Sequence, residues 1–298
     1  MPMLKAVKPE VVKPSKPKFM ISGKSGVGKT FFSLSFPTPY FIDTEGGAVR
    51  EQYRNRMAEA GGVYFGKEQG SQSFDAVIDE IKALATTKHS FKTLVIDSFS
   101  YLYNLAAAVA EAKIGNEFGR DKKEANRPTR QLMRWLEVLD MTVILICHQR
   151  EKWERRNGEI VHAGTTFDGF DKLEYGLDLW IEVFKINQGR SFIVKKSRIQ
   201  GLPEGMEYPL EYSKFSEIYG REIMEQESAP IILATEPQIK ELEGLLGVVK
   251  IEPATLEKWK DGAKVETWAE MTSDQIMGCI AYCKKKLGEL TTNGKGGK

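Results

Sequence analysis

The octapeptide Gly23-Lys24-Ser25-Gly26-Val27-Gly28-Lys29-Thr30 constrains this chain more than any other stretch of it. It fits G-x-x-x-x-G-K-[ST], and its context is the one that pattern needs: an apolar strand candidate at 19–22 before it and a helix-compatible run at 31–36 after it. Glycines at these positions let backbone N–H groups turn inward on phosphate oxygens with no Cβ in the way. The start of the following helix adds its positive end. Lys29 is placed to reach the β- and γ-phosphates of a nucleoside triphosphate, and the Thr30 hydroxyl to ligate Mg2+. The ligands implied are ATP and Mg2+.

Around this loop the hydrophobic pattern alternates between strand and helix. Strand candidates fall at 19–22, 40–43, 63–65, 93–97, 142–148, 179–185 and 192–196. Between them, Phe74, Val77, Ile78, Ile81 and Leu84 form one helical stripe, and Leu132, Trp135, Leu136 and Leu139 another. That alternation predicts an α/β fold with right-handed crossovers and a mostly parallel central sheet. The segments around Val95 and Ile144 are apolar at every position, as strands covered on both faces are.

The pattern changes near residue 228. Thr235-Glu-Pro-Gln238 and Thr272-Ser-Asp-Gln275 read as capping boxes that open helices, with Leu256 and Trp259 marking a shorter helix between them. The expected organisation is a basic disordered tail at 1–18, an ATPase core at 19–228, a small helical module at 229–290 and a flexible tail at 291–298. Cys279 and Cys283, four apart on one helical face, read as core packing.

Charge is laid out unevenly. Residues 1–18 and 284–298 each hold five lysines against one glutamate, +4 apiece, so with a net charge of +2 the middle sums to −6. A nucleic-acid site inside that acidic middle has to be local, built by basic loops; the basic ends read either as solvated tails or as nucleic-acid contacts. The longest apolar run, 141–147, is far short of a membrane span, and 1–18 lacks the apolar stretch of a secretory signal. Three cysteines without a C-x-x-C pair fit a reducing cytoplasm, with no membrane partner expected.

Three further pieces complete the chemistry. The strand at 93–97 ends in Asp97, the acid that holds hydrated Mg2+ in a P-loop enzyme. The strand at 40–43 runs into Asp43-Thr44-Glu45-Gly46-Gly47. In a parallel sheet all strand C-termini face the nucleotide, so Glu45 reads as a base for water or as a plain turn acid. The strand at 142–148 turns polar at His148 and Gln149. One of these is placed to bond the γ-phosphate and report its loss, or both simply close a strand.

These pieces, in this order, resemble the RecA family of recombination ATPases over about residues 18–215, and phage-encoded RecA-like annealing proteins in particular. The resemblance implies a RecA-like P-loop NTPase core, Glu45 as the catalytic glutamate, Lys29 as the catalytic lysine and Gln149 as the γ-phosphate sensor coupled to DNA. It implies two DNA-reading loops. The first spans about 113–130 with Arg120, Lys122, Lys123, Arg127 and Arg130. The second spans about 150–171 with Arg150, Lys152, Trp153, Arg155 and Arg156. Cations there would neutralise phosphates, and Trp153 would stack on a base; the plainer reading is a charged helix end and a hairpin turning at Asn157-Gly158. Lys195, Lys196 and Arg198 would reach the ATP of a neighbouring subunit. The family's usual Asn before the sensor is His148 here.

The function implied is an ATP- and Mg2+-dependent protein that binds single-stranded DNA and promotes annealing or strand exchange in recombination and repair. It would act as a homo-oligomer, filament or ring, beside a single-strand-binding protein, in the cytoplasm of a bacterial host if phage-encoded. The same core also serves helicase or helicase-loading motors, and nucleotide-gated DNA clamps that hardly hydrolyse.

Overall fold

In the computed structural model the described residues are 8, 14–114 and 120–293, and side chains are described for these except 114, 120–125 and 290–293. Two compact units emerge, one of residues up to 82 with 89–229, the other of 83–88 with the residues from 230 on.

The first unit is built on an eight-stranded sheet. Its strands are β1 (Lys18–Ser22), β2 (Pro39–Asp43), β3 (Val63–Phe65), β4 (Thr93–Asp97), β5 (Thr142–Ile146), β8 (Leu179–Ile186), β9 (Gly189–Ser197) and β10 (Glu207–Pro209). The order across it is β10-β9-β8-β1-β5-β4-β2-β3. Every pair from β3 through β8 is parallel, and the β8–β9–β10 edge is antiparallel. A separate hairpin of β6 (Gln149–Arg156) and β7 (Glu159–Phe167) leaves the chain between β5 and β8. This is the mixed α/β architecture with a mostly parallel central sheet that the alternation of strand and helix predicts.

Register places the site. Ser22 lies beside Glu182, Ile21 beside Ile146, Asp43 beside Asp97, and Asp97 beside Ile146. The C-terminal ends of β1, β2, β4 and β5 therefore form one row with Glu182 of β8 beside it, at the edge where loops of α/β sheets hold ligands. The helices that follow are α1 (Lys29–Ser33), α2 (Glu51–Glu59), α3 (Phe74–Thr86), α4 (Phe99–Ile114) and α5 (Arg120–Val138), with α6 (Tyr212–Tyr219) and α7 (Arg221–Met224) closing the unit. All five residues of β5 are buried, as a strand with helices on both faces must be. On one face Phe19, Phe36 and Phe215 stack at centroid distances of 5.1–5.8 Å.

The structure departs from the sequence reading in several places, among them the tail expected at 291–298, whose first three residues continue α10 (Ser273–Asn293). Helix α1 stops at Ser33 rather than 36, because Phe36 precedes Pro37 and that position disfavours helical backbone. The strand expected at 142–148 leaves the sheet after Ile146, where Ser100 Oγ takes the His148 N–H at 2.8 Å. The segment 113–130 is no loop over its described part: α4 runs to Ile114 and α5 starts at Arg120, extending the stripe of Leu132 and Trp135 backward through good helix formers. The tail expected at 1–18 is anchored at its end, since Lys16 is buried, donates to Asp140 O at 3.0 Å and pairs with the Asp140 carboxylate at 3.6 Å. Burial still holds the Lys16 ammonium below its usual range despite that pairing. Apart from Lys8, residues 1–13 lie outside the described residues, as does 294–298.

The second unit contains α8 (Glu236–Val248), α9 (Pro253–Ala263) and α10 (Ser273–Asn293). Both capping boxes form: Thr235 N donates to Gln238 Oε1 at 2.8 Å, and Thr272 N to Gln275 Oε1 at 2.9 Å. Leu242, Ile276, Ile280 and both cysteines make its core.

Candidate nucleotide site

The loop from Gly23 to Thr30 wraps as its glycines require. Gly23, Gly26 and Gly28 have φ of 145°, 75° and 106°, values that side-chain-bearing residues rarely adopt. At Gly23 there is also no room: an added Cβ would lie 2.4 Å from the Val183 carbonyl oxygen of β8. Gly28 opens α1, and a Cβ there would meet Arg190 Cδ at 2.8 Å. Arg190, on β9, thus lies across the loop, a neighbour that nothing in the sequence pattern announces.

Lys29 folds back onto the loop and donates from Nζ to Gly23 O at 2.7 Å and Lys24 O at 3.0 Å. Burial holds its ammonium below the usual lysine range, with Asp97 and Glu45 opposing. Thr30 Oγ1 donates to Asp97 Oδ2 at 2.6 Å. Burial pushes the Asp97 carboxyl up to about 6, with nearby Glu45 adding to the rise and the Thr30 hydroxyl opposing it. A hydroxyl and a partly desolvated carboxylate side by side are the hard-oxygen donors that Mg2+ takes, and a cation there would relieve the buried charge. The residues fit that ion: Thr30 and Asp97 would hold it, and it would offset charge on the phosphates.

Asp43 shapes the acidic turn. Its carboxylate accepts from the N–H groups of Gly46, Gly47 and Ala48 at 2.7–2.9 Å, which explains the glycine directly after Glu45: Gly46 takes φ 79° to present its N–H. The turn holds Glu45 at the pocket, where its Oε1 accepts from Ser98 Oγ and lies 2.7 Å from His148 Nε2. The hydrogen bond from His148 draws the Glu45 carboxyl below the usual range, and the same bond lifts His148 above its own, in each case against burial. Gln149 lines the pocket too, but both its amide N–H groups are engaged, with Thr165 Oγ1 at 2.9 Å and Glu182 Oε1 at 3.1 Å.

Together Gly23, Lys24, Ser25, Gly26, Gly28, Lys29, Thr30, Glu45, Asp97, His148 and Gln149 line one open cavity of about 900 Å3, joined by Arg50, Tyr53 and Arg150. Val27 is buried beneath the loop. Ser98, Asp43, Arg50 and Tyr53 were not singled out by sequence; for Ser98 the adjacent Asp97 was the available signal.

The basic residues divide. Gln149 opens the β6–β7 hairpin, so Arg150, Lys152, Trp153, Arg155 and Arg156 extend outward from the pocket rim, turning at Asn157 and Gly158 with φ of 53° and 90°. Trp153 is 61% exposed, a large apolar surface left in water. Lys152 and Arg156 share Glu154 at 2.8 and 3.0 Å, and Arg150 reaches Asp171 at 3.1 Å. Arg127 and Arg130 lie on α5 with Arg120, Lys122 and Lys123, whose side chains are outside the described set. Lys195 sits 3.4 Å from Glu182, Lys196 donates to Leu177 O, and Arg198 donates to Tyr175 O at 2.7 Å, so each has a partner within its own chain.

Fold and pocket define a P-loop NTPase. A family model described as AAA domain matches residues 15–193, and the chain belongs to that family. It is an ATPase family, so a nucleotide is the ligand class of this pocket. Among solved structures the chain is similar to the crystal structure of the RadB recombinase, at 20% identity over 64% of this chain and 84% of that one, with a TM-score of 0.38. A comparison with curated proteins finds no match. Among the described residues no helix is long and apolar enough to cross a membrane.

Proposed function

We propose that this protein is a DNA-stimulated, Mg2+-dependent ATPase that binds single-stranded DNA and promotes annealing or strand exchange. The observation that carries the reading is continuity: Gln149 lines the phosphate pocket and is also the first residue of a hairpin bearing four cations and an exposed tryptophan. Cations on an arm neutralise a phosphate backbone and release counterions, while an indole gives any base a stacking face. A ligand on the arm and a phosphate in the pocket therefore act on one strand.

In this reading Lys29 and the loop N–H groups bind the phosphates, and Thr30 and Asp97 hold Mg2+. Glu45 orients and deprotonates the attacking water, and Gln149 senses the γ-phosphate. Assembly as a homo-oligomer would bring Lys195, Lys196 or Arg198 toward a neighbour's nucleotide once they leave their partners, and a single-strand-binding protein would be a fitting companion.

The hold of His148 and Ser98 on Glu45 favours a second reading, a nucleotide-gated DNA clamp with slow turnover. ATP hydrolysis measured with and without single-stranded DNA separates the two. The first expects stimulation that weakens with salt and is lost in Glu45→Gln. Slow turnover that neither DNA nor Glu45→Gln alters would establish the clamp.

A further inference from the structure

Glu182 is out of keeping with its strand. On one face β8 sends Leu179, Ile181 and Val183 into the aromatic core. On the other face stands Glu182, with its side chain only 17% exposed. A carboxylate so far out of water needs donors on both oxygens. Oε1 accepts from Gln149 Nε2 at 3.1 Å; Oε2 accepts from Thr165 Oγ1 at 3.4 Å and lies 3.4 Å from Lys195 Nζ. Gln149 begins β6 and Thr165 lies near the end of β7, so both roots of the hairpin converge on this carboxylate.

The same point of β8 forms the wall of the phosphate loop. Glu182 pairs in register with Ser22, the residue before Gly23, and the next carbonyl, that of Val183, is the one a Cβ on Gly23 would strike. Gln149 has both amide N–H groups committed, to Glu182 and Thr165. It donates to a γ-phosphate only by giving one of them up. Giving up Glu182 removes a donor from a half-desolvated carboxylate, loosens the hairpin root and leaves the carboxylate more dependent on Lys195.

We propose that Glu182 is a positioning residue that couples the β6–β7 hairpin to the phosphate pocket, by exchanging its hold on Gln149 when that side chain turns to phosphate. The inference rests on Gln149 being the γ-phosphate sensor. It does not require that the hairpin's ligand be DNA.

Amide hydrogen exchange on the full chain, with and without a slowly hydrolysed ATP analogue and Mg2+, tests it. In the wild type the analogue should change exchange at 149–151 and 165–167 by about fivefold, the worth of one hydrogen bond. In Glu182→Ala the roots should already exchange faster, and the response to the analogue should shrink below about twofold. Glu182→Gln keeps an oxygen to accept from Gln149 and should restore at least half of the response, which a merely structural substitution would not do. A wild-type response in Glu182→Ala, or no response in the wild type, overturns the proposal. Should Glu182→Ala fail to fold, the near-isosteric Thr165→Val removes one of the two acceptors on Gln149 and should reduce the response; a full response there overturns it equally. Hydrolysis with and without oligo-dT, run in parallel, keeps the two ideas apart. A coupled hairpin with no stimulation by oligo-dT leaves Glu182 in place and removes DNA; stimulation with an unchanged response in Glu182→Ala does the reverse.

Discussion

Gly23 is a glycine for two separable reasons, its φ of 145° and the Val183 carbonyl 2.4 Å from where a Cβ would stand. Gly26 has only the first, with φ 75° and open space around it. Gly26→Ala should cost about 1–2 kcal/mol, the price of left-handed backbone, and Gly23→Ala clearly more, because β8 must also move away. Urea midpoints of the two variants check the order; equal values would mean that the loop, not β8, yields. The pair of Glu45 and His148 makes a second prediction. His148 is raised above 6.5 and Glu45 lowered below 4.5, each chiefly by their mutual hydrogen bond. What His148 adds to stability is complete below 6.5 and fades as pH rises through its raised value. What Glu45 adds is complete above 4.5 and fades as pH falls through its lowered value. Between about 4.5 and 6.5 both are in force. With three histidines in the chain, NMR titration resolves each: His148 should titrate above 6.5, and its midpoint should fall in Glu45→Gln.

At the scale of elements, β1 carries the fold and the site at once. Phe19 is fully buried and stacks on Phe215 at 5.1 Å, four residues before the loop begins at Gly23. Phe19→Ala should cost about 3–5 kcal/mol, read as a lower denaturant midpoint with an unchanged slope; a cost under about 1 kcal/mol would mean that α6 collapses into the space. Elements such as this were legible because they rest on local pattern: the runs around Val95 and Ile144, the capping threonines, the Asn157-Gly158 turn. The placement of Asp97 and the loop glycines at one pocket was legible for a related reason, since the pattern that puts them there lies in adjacent residues. What escaped was contact across the chain. Nothing beside Glu45 announces Ser98 or His148, nothing near Gly28 announces Arg190, and Glu182 reads as one acid in an apolar strand. The helical start of α5 was missed because the family resemblance placed a loop over 113–130, although the residues there are good helix formers.

For the molecule as a whole, the charge layout fixes how binding should respond to salt. The residues between the basic ends sum to −6, so contact with a polyanion there has to be local. If Arg150, Lys152, Arg155 and Arg156 each neutralise a phosphate, log affinity for oligo-dT should fall with log salt at a slope of about −3. Arg155→Glu with Arg156→Glu should flatten it by about 1.4 or more while nucleotide binding persists. A slope unchanged by that pair would move the contact to α5 or to the ends of the chain. Loss of nucleotide binding would instead assign the two arginines to the pocket.

The β6–β7 hairpin hydrogen-bonds to itself and lies outside the eight-stranded ladder, although the chain enters it from β5 and leaves it toward β8. Its tip can therefore be lengthened, shortened or rewritten without cutting one bond of the main sheet. On the proposed function, such an arrangement lets what the arm binds change by descent independently of what the pocket consumes, with the few side chains at its root as the part that must be inherited intact.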